Sequence, residues 1–315
     1  MMLAISGGVG GAKLAAGLAQ VLAPEDLTIA VNTGDDFVHL GLAISPDLDT
    51  VMYTLAGLND TQRGWGLANE TWSCMDSLRR LGAADWFQLG DRDLGTHLYR
   101  SHRLSQGATL TEVTAELCRA VGIRHAVVPM SDAPARTIID TSEGELSFQD
   151  YFVRRHCEPA FRGIRFEGGA ALGERLDSVL RDGALKAIIF GPSNPILSIR
   201  PFLALPGFEA ALRGRSVPAV AVSPIIGNAA VKGPLAKIMT EMGTPVSALE
   251  VARLYVGLID AFVIDVVDAP QAPAIRDLGL DVIVTPALMV DAATRNALAR
   301  TVIEYCSADR KAVRT

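Results

Sequence analysis

The residues of this chain best suited to chemistry are acids, glycines and short polar side chains placed just after apolar runs. Asn32-Thr33-Gly34-Asp35-Asp36 is followed by Ser45-Pro46-Asp47-Leu48-Asp49-Thr50, which puts four carboxylates within fifteen positions. Oxygen-rich clusters of this kind suit Mg²⁺, which typically takes one or two carboxylates together with substrate phosphates. The alternative is helix capping, because Asp at a helix start accepts backbone N–H bonds. For Asp47, ahead of a helix expected near Thr50, capping is at least as good a reading.

A second candidate is Ser6-Gly7-Gly8-Val9-Gly10-Gly11-Ala12-Lys13, a glycine-rich passage from a strand into a helix. Glycine turns tightly and lets a ligand approach the backbone, and a helix N-terminus offers unpaired N–H groups to phosphate. The spacing is neither GxGxxG nor GxxxxGK, and a ligand-free tight turn uses glycine as well. Two further loops, Gly191-Pro192-Ser193-Asn194-Pro195 and Ser223-Pro224-Ile225-Ile226-Gly227-Asn228, each offer hydrogen-bonding groups beside Pro or Gly; Asx turns use the same letters. Lys232 reads either as a phosphate partner or as a solvated charge. In Leu89-Gly90-Asp91-Arg92-Asp93, Arg92 reads as a clamp on a ligand oxygen or as part of a weak surface ion-pair cluster. His97 is more often structural than catalytic at such a place. Trp65, Trp72 and Trp86 read as a local core or as an apolar wall for a flat ligand.

These residues need a scaffold that brings strand ends together. Apolar runs at Met2–Ser6, Leu27–Asn32, Ala187–Phe190, Pro218–Val222, Ala261–Asp265 and Val282–Thr285 end in turn residues. Continuous apolar runs fit strands buried on both faces, as in a parallel sheet. Helical periodicity between them, as in Ala12–Leu22 and Val246–Leu258, predicts a doubly wound, mostly parallel, Rossmann-like α/β sheet. Ligands then bind beyond the carboxyl ends of the strands. Residues 67–149 break the pattern: the stretch to Arg124 is mostly helical, and His125 to Gln149 reads as short antiparallel strands. The expected organisation is a core of 1–66 and 150–315 with 67–149 as an inserted subdomain covering the sheet's upper edge. The charged end, DRKAVRT (309–315), is expected to fray.

Composition limits the function classes. The 315 residues carry a net charge of −6, which argues against general nucleic-acid binding, since that needs a basic surface. Almost half of the residues are hydrophobic, which excludes a disordered chain. The four cysteines, Cys74, Cys118, Cys157 and Cys306, are widely spaced and suggest neither zinc nor disulfides. No signal peptide and no membrane span are expected, so the chain is expected to be cytoplasmic.

The segments GGVGGAKL, NTGDDF, SPDLDTVMYTL, LGDRDLGTHL, MSD at Met130–Asp132, FQDYFV at Phe148–Val153, GPSNPILSI and SPIIGN occur in this order. Together they resemble the 2-phospho-L-lactate transferase family of deazaflavin coenzyme F-420 biosynthesis, over most of the chain. The resemblance implies transfer of a phospho-three-carbon-acid group (2-phospholactate, phosphoenolpyruvate or 3-phosphoglycerate type) from a guanosine-diphosphate-linked donor. The implied acceptor is 7,8-didemethyl-8-hydroxy-5-deazariboflavin, and GMP leaves. It further implies Mg²⁺ and a homodimer. Carried over by motif, Asp49 and Arg92 would contact the deazaflavin, with Asp49 as base or metal ligand and Asp36 as the second metal candidate. Gly7, Gly8, Gly10, Gly11, Lys13, Ser193, Asn194, Gly227 and Asn228 would hold the guanosine diphosphate part. Two alternatives stand beside this one. A related, non-catalytic branch binds a nucleotide sugar and regulates cell-wall growth. An NAD-dependent dehydrogenase fits poorly, because the second strand ends in Asn32 where an acid normally binds the adenine ribose.

Overall fold

Short, wholly apolar strands can be buried only inside a sheet covered on both faces, and that is where they lie. The computed structural model describes residues 1–308; the charged tail 309–315 lies outside the described residues. Seven strands form the central sheet: β1 (Met2–Ser6), β2 (Leu27–Val31), β3 (Ala126–Pro129), β4 (Ala187–Phe190), β5 (Ala219–Val222), β6 (Ala261–Ile264) and β7 (Asp281–Val284). Their order is β7-β6-β5-β4-β1-β2-β3, and every neighbouring pair is parallel. Alternate side chains feed two separate cores. Leu3, Ile5, Ile188 and Phe190 join one apolar cluster, while Met2, Ala4, Ala187 and Ile189 join the other. The doubly wound Rossmann-like reading therefore holds.

Helix α1 (Gly8–Val21) leaves β1 and packs on one face with α2 (Pro46–Leu55) and the last helix. Its buried residues include Leu14 and Leu18 beside the small Ala12, Ala15, Ala16 and Gly17. A Cβ on Gly17 would lie 2.5 Å from the carbonyl oxygen of Arg295, so glycine admits the last helix, Ala292–Ser307, at backbone distance.

The middle of the chain departs from expectation in one respect. The expected insertion boundaries place 126–129 among antiparallel strands outside the core. Instead Ala126–Pro129 is β3, the parallel edge strand beside β2. The physical reason is visible in its sequence: AVVP is a short apolar run of the same kind as the other sheet strands, buried from Val127 to Pro129. The antiparallel piece comes later. It pairs Arg136–Thr141 with Gly144–Ser147 and with Phe161–Glu167, which lies beyond the expected boundary at 149. Before β3 come helices α3 (Ser73–Arg80), α4 (Asp91–Ser105) and α5 (Leu110–Ala120). The antiparallel hairpin Phe37–His39/Leu42–Ile44 packs against α4. Among the described residues no helix is long and apolar enough to cross a membrane.

Candidate active site

In the order β3-β2-β1-β4, the chain reverses direction of growth between β1 and β4, the switch point beside which open α/β sheets bind their ligands. The turn after β1 and the turn after β4 meet at this point. The Ser193 hydroxyl accepts the Gly7 N–H at 3.0 Å and donates to the Gly7 carbonyl at 2.8 Å. A Cβ on Gly10 would lie 2.3 Å from the Pro192 carbonyl oxygen. One on Gly11 would lie 2.5 Å from the Ser6 hydroxyl oxygen and 2.6 Å from that of Ser193. Gly10 and Gly11 thus let the two loops close on each other.

The first amide of α1 is already bonded. Gly8, in the left-handed region at φ +62, donates its N–H to Asp47 Oδ1 at 2.7 Å. Asp47 therefore caps a helix, as its residue type allows, but the helix is α1 and not its own α2. Its other oxygen accepts from Asn32 Nδ2 at 3.0 Å, and the same amide reaches Asp35 Oδ1 at 3.3 Å.

All four carboxylates of the sequence cluster converge here. Asp35, Asp47 and Asp49 are at most 7% exposed. Asp36 accepts the Ser45 hydroxyl through Oδ2 at 2.7 Å, while its Oδ1 is buried with no hydrogen-bond partner. Burial raises Asp36 well above the usual carboxylate range, against the opposing Ser45 bond. Burial, then the neighbouring Asp47 charge, raises Asp35 likewise. Burial pushes Asp47 up to about 6. Asp49 is held differently: the Arg100 guanidinium embraces both of its oxygens, with Nη1 3.1 Å from Oδ2. Ser6 Oγ, Thr33 Oγ1 and Asn194 Nδ2, near the ends of β1, β2 and β4, are also buried without partners.

Helix α4 supplies the support. Asp93, His97 and Arg100 recur at four- and three-residue spacing and share one buried face. His97 Nδ1 lies 3.7 Å from Asp49 and its Nε2 3.3 Å from Asp93, which accepts the Tyr53 hydroxyl of α2 at 2.5 Å. Sequence reading missed Arg100 and Tyr53 and gave Asp93 no role beyond flanking Arg92; the helical spacing of 93, 97 and 100 is the signal that could have found Arg100.

Arg92 stands apart from this network on the exposed side of α4, its Nη1 donating to the Ala68 carbonyl at 2.8 Å. Its acidic neighbours do not orient it. Asp91 accepts the N–H groups of Ser73 and Cys74 at the start of α3, and Asp93 faces Tyr53 and His97. Asn194 caps the following turn through Oδ1, which accepts from Ile196 and Leu197. Gly227 and Asn228, at φ +58 and +62, form the two-residue turn of a hairpin in which Ile226 faces Ala229. The Gly227 N–H is held by Asp268 at 3.1 Å.

Lys13 faces another place. It lines a cleft of about 190 Å³ with Thr50, Tyr53, Trp65, Lys232 and Arg295. The tryptophans separate into two groups: Trp65 and Trp72 lie 6.1 Å apart with Arg63 over both rings, while Trp86 joins Phe37, His39 and Phe87. Among the described residues, no three His, Cys, Asp or Glu side chains are arranged to hold a metal ion by themselves.

This arrangement gathers acids, a guanidinium and unpartnered polar atoms where the turns after β1 and β4 meet. Comparison with known proteins places the chain in a family. The model of the family described as 2-phospho-L-lactate transferase CofD matches residues 2–300. The 2-phospho-L-lactate transferase of Methanosarcina mazei is 39% identical over 305 residues, covering 96% of this chain and 99% of that one. The phosphoenolpyruvate transferase of Kitasatospora aureofaciens is 38% identical over 310 residues, covering 96% of each. A UPF0052-family protein of Bacillus halodurans shares the fold with a TM-score of 0.62 at 14% identity, covering 96% of this chain and 98% of that one. The extent and order of the match leave no room for the dehydrogenase reading, and the names of the relatives set aside the non-catalytic one: the chain belongs to the 2-phospho-L-lactate transferase (CofD) family and is a phosphotransferase of the kind that serves coenzyme F-420 biosynthesis.

Proposed function

We propose that the protein joins a phosphorylated three-carbon acid to the deazaflavin 7,8-didemethyl-8-hydroxy-5-deazariboflavin, drawing it from a guanosine-diphosphate-linked donor. The terminal ribityl hydroxyl attacks the phosphorus next to the acid, the bond to the GMP phosphate breaks, and the hydroxyl proton passes to a base. Phosphoryl-type transfer depends on positioning and charge neutralisation more than on covalent catalysis. The observation that carries this reading is the acid cluster beyond the ends of β1 and β2, where four carboxylates gather, Asp49 alone is paired with a guanidinium, and one oxygen of Asp36 has no partner.

The unpartnered Asp36 Oδ1 fits a Mg²⁺ ligand. Asp49 would share the ion through lone pairs that Arg100 leaves free, since an ionised carboxylate has about four acceptor positions. When bound, Mg²⁺ supplies positive charge against the donor phosphates. Asp49, oriented by Arg100, serves as the proton acceptor or ion ligand. Arg92, on the exposed side of α4, would meet the deazaflavin. The Ser193–Gly7 seam, Asn194 Nδ2 and the Gly227–Asn228 turn line the approach of the nucleotide. A homodimer in the cytoplasm, with small-molecule partners and neither nucleic acid nor membrane, completes the proposal.

The test is incubation with the deazaflavin, Mg²⁺ and, in turn, the guanylylated forms of 2-phospholactate, phosphoenolpyruvate and 3-phosphoglycerate, followed by mass spectrometry. One donor is expected to yield the deazaflavin phosphodiester and GMP. Absence of adduct with all three overturns the proposal.

A further inference from the structure

One turn beyond the acid cluster, along the same two helices, the charge changes sign. The cleft between α1 and α2 is lined by three cations, Lys13, Lys232 and Arg295, and none of them lies within ion-pair distance of a carboxylate among the described residues. Each is placed by a specific contact. Lys13 Nζ donates to the Met289 carbonyl at 2.8 Å and keeps two N–H donors. A Cβ on Gly64 would lie 2.0 Å from Lys232 Nζ, so glycine there admits the ammonium. Arg295 is carried to the cleft by the close approach of the last helix to Gly17.

We infer that this cleft seats the phosphorylated carboxylic acid of the donor, an inference that rests on the transferase reading above. The first reason is charge. The cleft offers an ammonium pair and a guanidinium able to take a carboxylate in two bonds, with no carboxylate in its lining. The second is size: about 190 Å³ falls below the roughly 300–1,000 Å³ of sites for larger organic ligands, and suits a three-carbon acid better than a nucleotide. The third is the wall. Trp65, 43% exposed and propped by Arg63 against Trp72, offers an apolar cover over one side. Repulsion supports the picture, since Lys13 is lowered from its ordinary pKa by burial and then by Lys232 and Arg295, a strain that a bound anion relieves.

The test uses Lys232→Ala and Arg295→Ala, with folding checked by the unliganded melting temperature. Thermal shifts are read with free phosphoenolpyruvate, 2-phospholactate and 3-phosphoglycerate at millimolar concentration, and separately with GDP. The expected result is stabilisation of the wild type by at least one acid, lost in both variants, with the GDP shift retained. The donor KM is expected to rise roughly tenfold in each variant, the loss of a charge-assisted hydrogen bond. Three results overturn the inference: no acid shifts the wild type, the variants keep the acid shift, or they lose the GDP shift and keep that of the acid. Failure of the transferase reading looks different, because the wild type then yields no product with any donor while the acid shifts and their loss remain readable.

Discussion

The acid cluster and the cation cleft lie along the same two helices, yet they resolve their charge in opposite ways. In the cluster, four carboxylates gather and only Asp49 is paired with a guanidinium, while desolvation raises Asp35, Asp36 and Asp47 above their ordinary range. In the cleft, three cations are half-buried or exposed around open space and none is ion-paired. Burial makes uncompensated charge expensive, whereas exposure leaves it to water. The comparison teaches that the cluster limits stability while the cleft does not, so substitutions on the two sides should separate folding from ligand binding.

The strongest way to break that contrast is Arg100→Met, which leaves Asp49 as an unpaired buried charge. A loss of about 3–5 kcal/mol is expected by urea unfolding. Adding Asp49→Asn should restore part of it, and a loss under 1 kcal/mol would show that the cluster does not depend on this cation.

Next in size is a pH effect. Asp47 binds its proton more tightly folded, at about 6, than unfolded, near the ordinary 3.8. The folded state therefore holds more protons between these values, and stability from this group falls as pH rises from about 4 to 6, by up to roughly 3 kcal/mol. Unfolding at pH 4 and 6 in the wild type and in Asp47→Asn checks it, because the variant should show the flatter profile. An equal slope removes Asp47 as the cause.

Gly10→Ala probes the seam beside both regions. With the Pro192 carbonyl oxygen 2.3 Å from the added Cβ, the loops must separate, at a cost of about 1–3 kcal/mol in thermal unfolding. An unchanged melting temperature would mean that Gly10 has no packing role. The smallest stability effect has the opposite sign. Asp36→Asn removes a buried charge whose Oδ1 has no partner, and should stabilise the fold by about 1 kcal/mol while suppressing turnover. Turnover near wild type would take Asp36 out of the active site.

The central strands were legible because a run such as AIIF has one reading when followed by Gly-Pro-Ser-Asn. The AVVP strand was not, since the alternating segment after it pulled the whole stretch toward an antiparallel reading. At the site, the residue types of Asp35, Asp36, Asp47 and Asn32 pointed to the right place, but their partners lie far off in sequence. Nothing near Asp47 says that it caps the helix after Gly7, and nothing near Asp49 names Arg100, fifty-one positions away. Lys13 was grouped with the glycine turn by adjacency, and the rotation of one helical turn sends it to the cleft instead.

The position of β1 also dictates the order in which the molecule can be assembled. Its first partner, β2, begins at Leu27, but its second, β4, begins at Ala187. During synthesis the three strands β1, β2 and β3 can associate once residue 129 has left the ribosome, with one long edge of β1 bare until much later. Loop closure over so many residues is slow, and an exposed parallel edge invites pairing with other chains. The Ser193 hydroxyl, which bonds to both the N–H and the carbonyl of Gly7, joins two turns that lie 186 residues apart, so this seam closes only after β4 has been made.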